Sequence, residues 1–261
     1  MPAGQVATGK LAQSLAYGAR TLLVKGDFDA CLSLVQQASE RLGIYLLNSI
    51  NPFRIEGQKT IAIEALEQLG WDPPDWLVLP AGNLGNTAAF GKALREVHAL
   101  GLIERIPRIA AIQAEGAAPF ASSFRDNFTT RPTVKAETVA TAIRIGDPAS
   151  FDRAVQAIRF TNGIVTTVTD TEILDAKAVV DSSGVGCEPA SAASVAGVRR
   201  LAKEGVIRPS DRVVAVLTGH VLKDPSALLR YHQELNPRPE FANPPVEIEP
   251  TVDAVERVLN A

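Results

Sequence analysis

The chain has 261 residues, 46% of them hydrophobic and 21% charged, enough for one large domain or two modest ones around a real core. A net charge of -3 gives no electrostatic reason to expect nucleic acid or an acidic membrane as a partner, and no apolar run approaches membrane-spanning length. The two cysteines, Cys31 and Cys187, form no CxxC pair, so neither a disulfide framework nor a zinc site is expected.

The opening residues lack the basic end and apolar stretch of a signal peptide, and the expected location is the cytoplasm. Thr21–Val24 reads as a strand. A helix follows over Phe28–Leu42, with Asp27 as N-cap and Gly43 just past its end. Its apolar residues Phe28, Cys31, Val35, Ala38 and Leu42 advance by threes and fours and share one face. Ile44–Leu47 reads as a second strand, and a helix near Gln58–Leu69 presents Ala62, Ala65, Leu66 and Leu69 before Gly70.

The alternation then sharpens. Trp76–Leu79 is a predicted strand, followed by a glycine-asparagine loop and a helix over Thr87–Leu100. Ile109–Ala114 returns as a strand. Ile164–Val168 leads into a helix announced by a capping box, Thr169 with Glu172. A helix over Ala190–Lys203 stops at Gly205, and Val213–Leu217 is an apolar strand ending at Thr218-Gly219. Ala117–Thr133 and the tail from Asn236 to Pro250, with five prolines, read as irregular, and a short last helix covers Val252–Leu259. Near-continuous apolar strands alternating with helices define an α/β fold, a parallel twisted sheet with helices on both faces.

The strongest local signal is Leu79-Pro80-Ala81-Gly82-Asn83-Leu84-Gly85-Asn86-Thr87, between a strand and a helix. Its glycines permit a tight turn and close approach of a ligand. The first N–H groups of the next helix point outward with the positive end of the helix dipole, which suits a phosphate. The loop also falls at the carboxyl end of a strand, where open α/β sheets bind ligands. A plain tight turn accounts for the same residues. The GxxG spacing is not the dinucleotide fingerprint, and no GK[ST] follows to make a nucleotide P-loop.

Gly82-Asn83-Leu84-Gly85-Asn86 resembles the phosphate-holding loop of the tryptophan-synthase-like, fold type II pyridoxal-phosphate enzymes. Asn48-Ser49-Ile50-Asn51-Pro52-Phe53-Arg54-Ile55-Glu56-Gly57-Gln58-Lys59-Thr60 resembles the threonine synthase branch in particular. So do Gly9-Lys10-Leu11-Ala12-Gln13, Ile145-Gly146-Asp147-Pro148, Cys187-Glu188-Pro189-Ala190-Ser191 and Leu217-Thr218-Gly219-His220 with Leu222-Lys223-Asp224-Pro225, all in family order.

The resemblance implies conversion of O-phospho-L-homoserine and water to L-threonine and phosphate, with pyridoxal 5'-phosphate as cofactor and a lysine moving protons. It implies that Gly82, Asn83, Leu84, Gly85 and Asn86 hold the cofactor phosphate, that the Thr218 hydroxyl meets the pyridine nitrogen, and that Asn48, Ser49 and Arg54 bind the substrate phosphate. A homodimer is a possible assembly. Residues 1–50 would be the remainder of a smaller α/β domain, 51–235 the large cofactor-binding domain, and 236–261 a strap and helix packed on it.

The family's cofactor-bearing lysine sits in a Phe-Lys-Asp-Arg-like motif that none of the eight lysines here occupies. Lys10 and Lys59 lie inside other matched motifs and are not promoted to that role. The expectation is therefore a two-domain enzyme seen without its N-terminal portion, with Met1 an internal methionine or a misplaced start, apolar surface left uncovered, and the chain inactive by itself. His98, His220 and His232 show no metal-binding spacing, and there is no GxSxG elbow. His220 is expected to make a structural hydrogen bond, and Glu188 to serve the dipole of the helix it opens. Alternatives are another fold type II enzyme, such as a cysteate synthase or threonine dehydratase, or a truncated remnant that binds without catalysis.

Overall fold

The computed structural model describes residues 1–4 and 6–260; Gln5 of the opening stretch and Ala261 of the C-terminal segment lie outside the described residues. Three helices come first: α1 (Thr8–Ala16), α2 (Phe28–Leu42) and α3 (Pro52–Gln68). The caps of α2 act as its sequence directs. Asp27 Oδ1 accepts the Ala30 N–H at 2.8 Å, and Gly43 closes the helix at φ 65°. Its apolar stripe is only partly covered, and Leu42 is exposed.

α3 begins at Pro52, well before the expected Gln58. Asn51 Oδ1 accepts the Phe53 N–H at 2.9 Å and Pro52 fills the first turn, where its missing N–H costs nothing. The two strands expected before α3 do not form. Val24 makes an isolated bridge to Pro2, and residues 44–47 have no sheet partner. Leucine-rich runs become strands only where a neighbour pairs their N–H and C=O groups.

The remaining elements are β1 (Trp76–Pro80), α4 (Gly85–Ala99), β2 (Arg108–Ala114), α5 (Pro119–Arg125), α6 (Phe151–Phe160), β3 (Ile164–Val168), α7 (Asp170–Ser182), α8 (Pro189–Lys203), β4 (Val213–Ala215), α9 (Pro225–Gln233) and α10 (Val252–Leu259). The strands form one parallel sheet in the order β3-β2-β1-β4. Leu77, Leu79, Ile109 and Ala111 point to the face covered by α3, α4 and α6. Trp76, Val78, Ala110 and Ile112 point to the face covered by α7 and α8. The central strands β1 and β2 are buried on both faces, which explains why they read as nearly unbroken apolar runs.

Close packing brings the helices onto the sheet. A Cβ at Gly197 of α8 would lie 2.5 Å from Ile112 Cδ1, and one at Gly91 of α4 would lie 2.2 Å from the Ala157 Cβ of α6. The capping box of α7 forms, with the Glu172 N–H on Thr169 Oγ1 at 3.2 Å and the Thr169 N–H on Glu172 Oε2 at 2.7 Å. Arg200 of α8 adds two bonds to the same carboxylate, at 3.2 and 2.7 Å, and one to the Thr167 carbonyl at 2.7 Å.

α5 occupies part of the stretch expected to be irregular. It is held by Gln113, buried at the end of β2, whose Oε1 accepts the Ala121 N–H at 2.9 Å and whose Nε2 donates to the Ala81 carbonyl at 3.2 Å. β4 ends at Ala215, short of the expected Leu217, although the Val216 N–H still reaches the Val78 carbonyl at 2.9 Å. Among the described residues, no helix is long and apolar enough to cross a membrane.

Candidate functional site

A cavity of about 480 Å³ opens at the carboxyl ends of β1 and β4. Its walls gather the predicted loop residues Gly82, Asn83, Leu84, Gly85 and Asn86, together with Thr218, Ser49 and Arg54. Asn48 is placed elsewhere: it does not line the cavity, and its Oδ1 accepts the Ile50 N–H of its own turn at 3.1 Å.

The loop between β1 and α4 departs from the expected conformation in one respect. Its left-handed residue is Leu84, at φ 63° and ψ 12°, and neither Gly82 nor Gly85 has a positive φ. A leucine in that region carries roughly 1–2 kcal/mol of local strain, and burial of its side chain to 2% exposure holds it there. Gly82 is required by contact. A Cβ there would stand 2.9 Å from Ile143 Cα and 3.0 Å from the Ala142 carbonyl oxygen. Asn83 clamps the loop on two sides, donating through Nδ2 to Ser49 Oγ at 3.0 Å and accepting the Ala149 N–H on Oδ1 at 2.7 Å.

The first backbone bond inside α4 runs from the Ala88 N–H to the Leu84 carbonyl at 3.0 Å, so the N–H groups of Gly85, Asn86 and Thr87 precede it. No acidic residue stands in the first turn of α4. Thr87 Oγ1 is buried in that turn and, among the described residues, meets no partner. This donor set, at the positive end of a helix and free of carboxylates, fits the phosphate of pyridoxal phosphate.

Sequence reasoning gave no role to Asp29, another wall of the cavity. Asp29, in the first turn of α2, has its carboxyl raised above the usual range by burial, then by Asp27 and Asp147. Lys10 pairs with Glu188 Oε2 at 2.8 Å, tying α1 to the start of α8; the Glu188 side chain is 7% exposed. Glu188 thus holds a specific ion pair besides standing at a helix start. His220 Nδ1 accepts the Leu222 N–H at 3.2 Å, a local structural bond of the kind expected. Burial pushes the Cys187 thiol up to about 11.

At the far end, Ser191 of α8 gathers the segment after β4. Its Oγ accepts the Thr218 N–H at 2.9 Å and the Gly219 N–H at 2.8 Å, and lies 3.0 Å from Thr218 Oγ1. Loop, helix terminus and hydroxyl therefore face one cavity between the carboxyl ends of parallel strands, where open α/β enzymes bind phosphorylated ligands.

The fold and this site define an α/β enzyme built around a phosphate-bearing cofactor. The chain belongs to the pyridoxal-phosphate dependent enzyme family, whose sequence profile matches residues 1–219. It is 44% identical to the threonine synthase of Methanocaldococcus jannaschii over 99% of this chain and 62% of that protein. The threonine synthase of Methanosarcina acetivorans gives 44% identity with the same coverage, 99% and 62%. The chain thus spans about 62% of the length of these relatives. The solved threonine synthase of Escherichia coli superposes with a TM-score of 0.71 at 22% identity, over 99% of this chain and 63% of that one, a likeness of fold. The fold type II assignment and pyridoxal phosphate as the family cofactor follow.

Proposed function

We propose that this chain is the substrate- and cofactor-binding part of a threonine synthase, which converts O-phospho-L-homoserine and water to L-threonine and phosphate. The observation that carries this reading is a single cavity bearing two phosphate-suited places, the N-terminus of α4 and the Ser49–Arg54 side. Relatives of that activity at 44% identity support it.

Pyridoxal phosphate, when bound, supplies an electron sink for carbanions beside the substrate's amino-bearing carbon. The backbone donors of Gly85, Asn86 and Thr87, with the turn over Gly82, Asn83 and Leu84, hold its phosphate. The Thr218 hydroxyl donates to the ring nitrogen and leaves it unprotonated, where a carboxylate would favour protonation. Arg54 offers a planar pair of donors to the substrate phosphate, Ser49 adds a hydroxyl, and Asn48 shapes the turn that carries them. Ile143, Leu84 and Ala190 give the cavity apolar wall. No residue of this chain is assigned the proton-moving role.

In the same reading, residues 1–50 belong to a smaller domain, 51–235 to the large one and 236–261 to a strap. Among the described residues of the first fifty, Ala7 alone is buried, so this segment lends walls to the cavity more than a core of its own. Both cysteines are free, consistent with a reducing cytoplasm, and a homodimer is the assembly to look for by sedimentation.

The test is turnover with pyridoxal phosphate, measured for this chain alone and for this chain joined to the stretches of the Methanocaldococcus jannaschii protein that it does not cover. Equal release of phosphate and threonine from O-phospho-L-homoserine is expected from the joined protein. Preference for O-phospho-L-serine, or deamination of threonine, would replace the reading by one of the neighbouring activities. Cofactor binding without turnover of any of the three would favour a non-catalytic remnant.

A further inference from the structure

We infer that Ser191 is a positioning residue that fixes the direction of the Thr218 hydroxyl, so that its hydrogen is delivered to the cofactor ring nitrogen. This rests on the reading of Thr218 given above. A serine oxygen has one hydrogen and two lone pairs. Both lone pairs of Ser191 Oγ are taken, by the backbone N–H groups of Thr218 at 2.9 Å and Gly219 at 2.8 Å. Its own hydrogen must then go to the remaining neighbour, Thr218 Oγ1, at 3.0 Å.

The opposite direction fails on accounting. If Thr218 donated to Ser191, the serine oxygen would accept three bonds, and its hydrogen would be buried without an acceptor in a residue of 0% exposure, a costly arrangement. Thr218 Oγ1 therefore accepts from Ser191. Among the described residues, its own hydrogen has no protein acceptor, and the residue lines the cavity.

Ser191 is itself held firmly. Ser194 Oγ, one turn on, donates to the Ser191 carbonyl at 2.7 Å and to the Val216 carbonyl at 3.0 Å, pinning α8 to the end of β4. The chain of donors from Ser191 through Thr218 polarises in one direction, which strengthens the last bond. The serine is fully buried, does not line the cavity, and acts through the threonine.

The experiment is nitrogen-15 NMR of the cofactor-loaded protein, using pyridoxal phosphate labelled at the ring nitrogen. Thr218→Val removes the donor and is expected to move the resonance downfield, toward that of free unprotonated pyridine. Ser191→Ala and Ser191→Cys are expected to move it part of the way in the same direction; the second keeps the side-chain shape with only a weak donor and acceptor, should the first fold poorly. Thr218→Ser keeps the relay and should leave the resonance in place. A resonance that moves in Thr218→Val but stays put in both Ser191 variants overturns the inference while sparing the role of Thr218. A resonance unmoved in Thr218→Val as well overturns the role of Thr218 and the inference with it.

Discussion

Asn83 and Ser49 meet across the mouth of the cavity, with Nδ2 of the first donating to Oγ of the second at 3.0 Å. The contact joins the turn before α3 to the turn before α4, so the two phosphate-suited places are set at a fixed spacing by one side chain. Asn83 also holds the Ala149 N–H at 2.7 Å, so its side chain braces the loop whose backbone faces the cavity.

Asn83→Ala removes both bonds, worth about 0.5–1.5 kcal/mol each. Cofactor affinity is expected to weaken roughly 5- to 150-fold, as read from the dissociation constant in a fluorescence titration. An unchanged constant would show that the loop keeps its shape without the clamp.

Arg54 stands on the first turn of α3, lines the cavity and, among the described residues, makes no ion pair. Hydrogen bonds from a charged group contribute about 1.5–3 kcal/mol, so Arg54→Ala should raise the KM for O-phospho-L-homoserine roughly 10- to 150-fold in the turnover-competent protein. Cofactor affinity should stay near its original value. The reverse pattern would move Arg54 from the substrate to the cofactor.

Gly82→Ala drives a Cβ to 2.9 Å from Ile143 Cα, and the neighbour there is backbone. Overpacking of this kind costs about 1–3 kcal/mol, and calorimetry should show a Tm lowered by roughly 2–4 °C per kcal/mol. Gly85→Ala is expected to be milder, because the nearest atom, Gln58 Oε1 at 3.2 Å, ends a flexible side chain.

The two thiols should separate cleanly. Cys31 is half-buried, whereas Cys187 is buried with its pKa pushed up to about 11. At pH 8 only about one Cys187 in a thousand carries a thiolate. A disulfide reagent should therefore modify one thiol promptly and the second only on unfolding.

Glu172 links the cap of α7 to Arg200. Burial pulls its pKa upward, but the Thr169 backbone N–H, the Arg200 guanidinium and the Thr169 hydroxyl outweigh it and hold the carboxyl below its ordinary value. A carboxylate held low in the folded state contributes stability that is full above its unfolded pKa and fades as pH falls through the folded one. Glu172→Gln should reduce stability at neutral pH and flatten the acid limb of the stability profile, measured by urea unfolding at several pH values.

How much of this could be read in the sequence depended on where the signals were local. The caps of α2, the capping box at Thr169 and Glu172, and the strand Ile164–Val168 are written in neighbouring residues and stand where they were expected. Thr21–Val24 and Ile44–Leu47 had strand composition, yet a strand also needs a partner: Val24 meets only Pro2, in an isolated bridge, and among the described residues 44–47 meet none. α1, α6 and α9 were overlooked, although Phe151, Ala154, Ala157 and Ile158 of α6 form a buried face.

At the site, the loop was the strongest local signal in the sequence, and the resemblance added Thr218. The left-handed Leu84 went unread because glycine is the residue that usually signals that conformation. Ser191 could be found only once α8 lay beside the end of β4, since twenty-seven residues separate it from Thr218.

The order of the strands also bears on how the chain is made. β1 lies between β2 and β4, and among the described strands β4 comes last in chain order and so last from the ribosome. Until then β1 presents a bare row of peptide N–H and C=O groups on one side, the kind of edge that recruits strands from other chains. Synthesis proceeds at about 5–20 residues per second, so this edge stays open for seconds on every nascent copy. A ribosome stalled before Val213 would display it indefinitely, and polypeptides ending there should aggregate far more readily than those that extend past Val216.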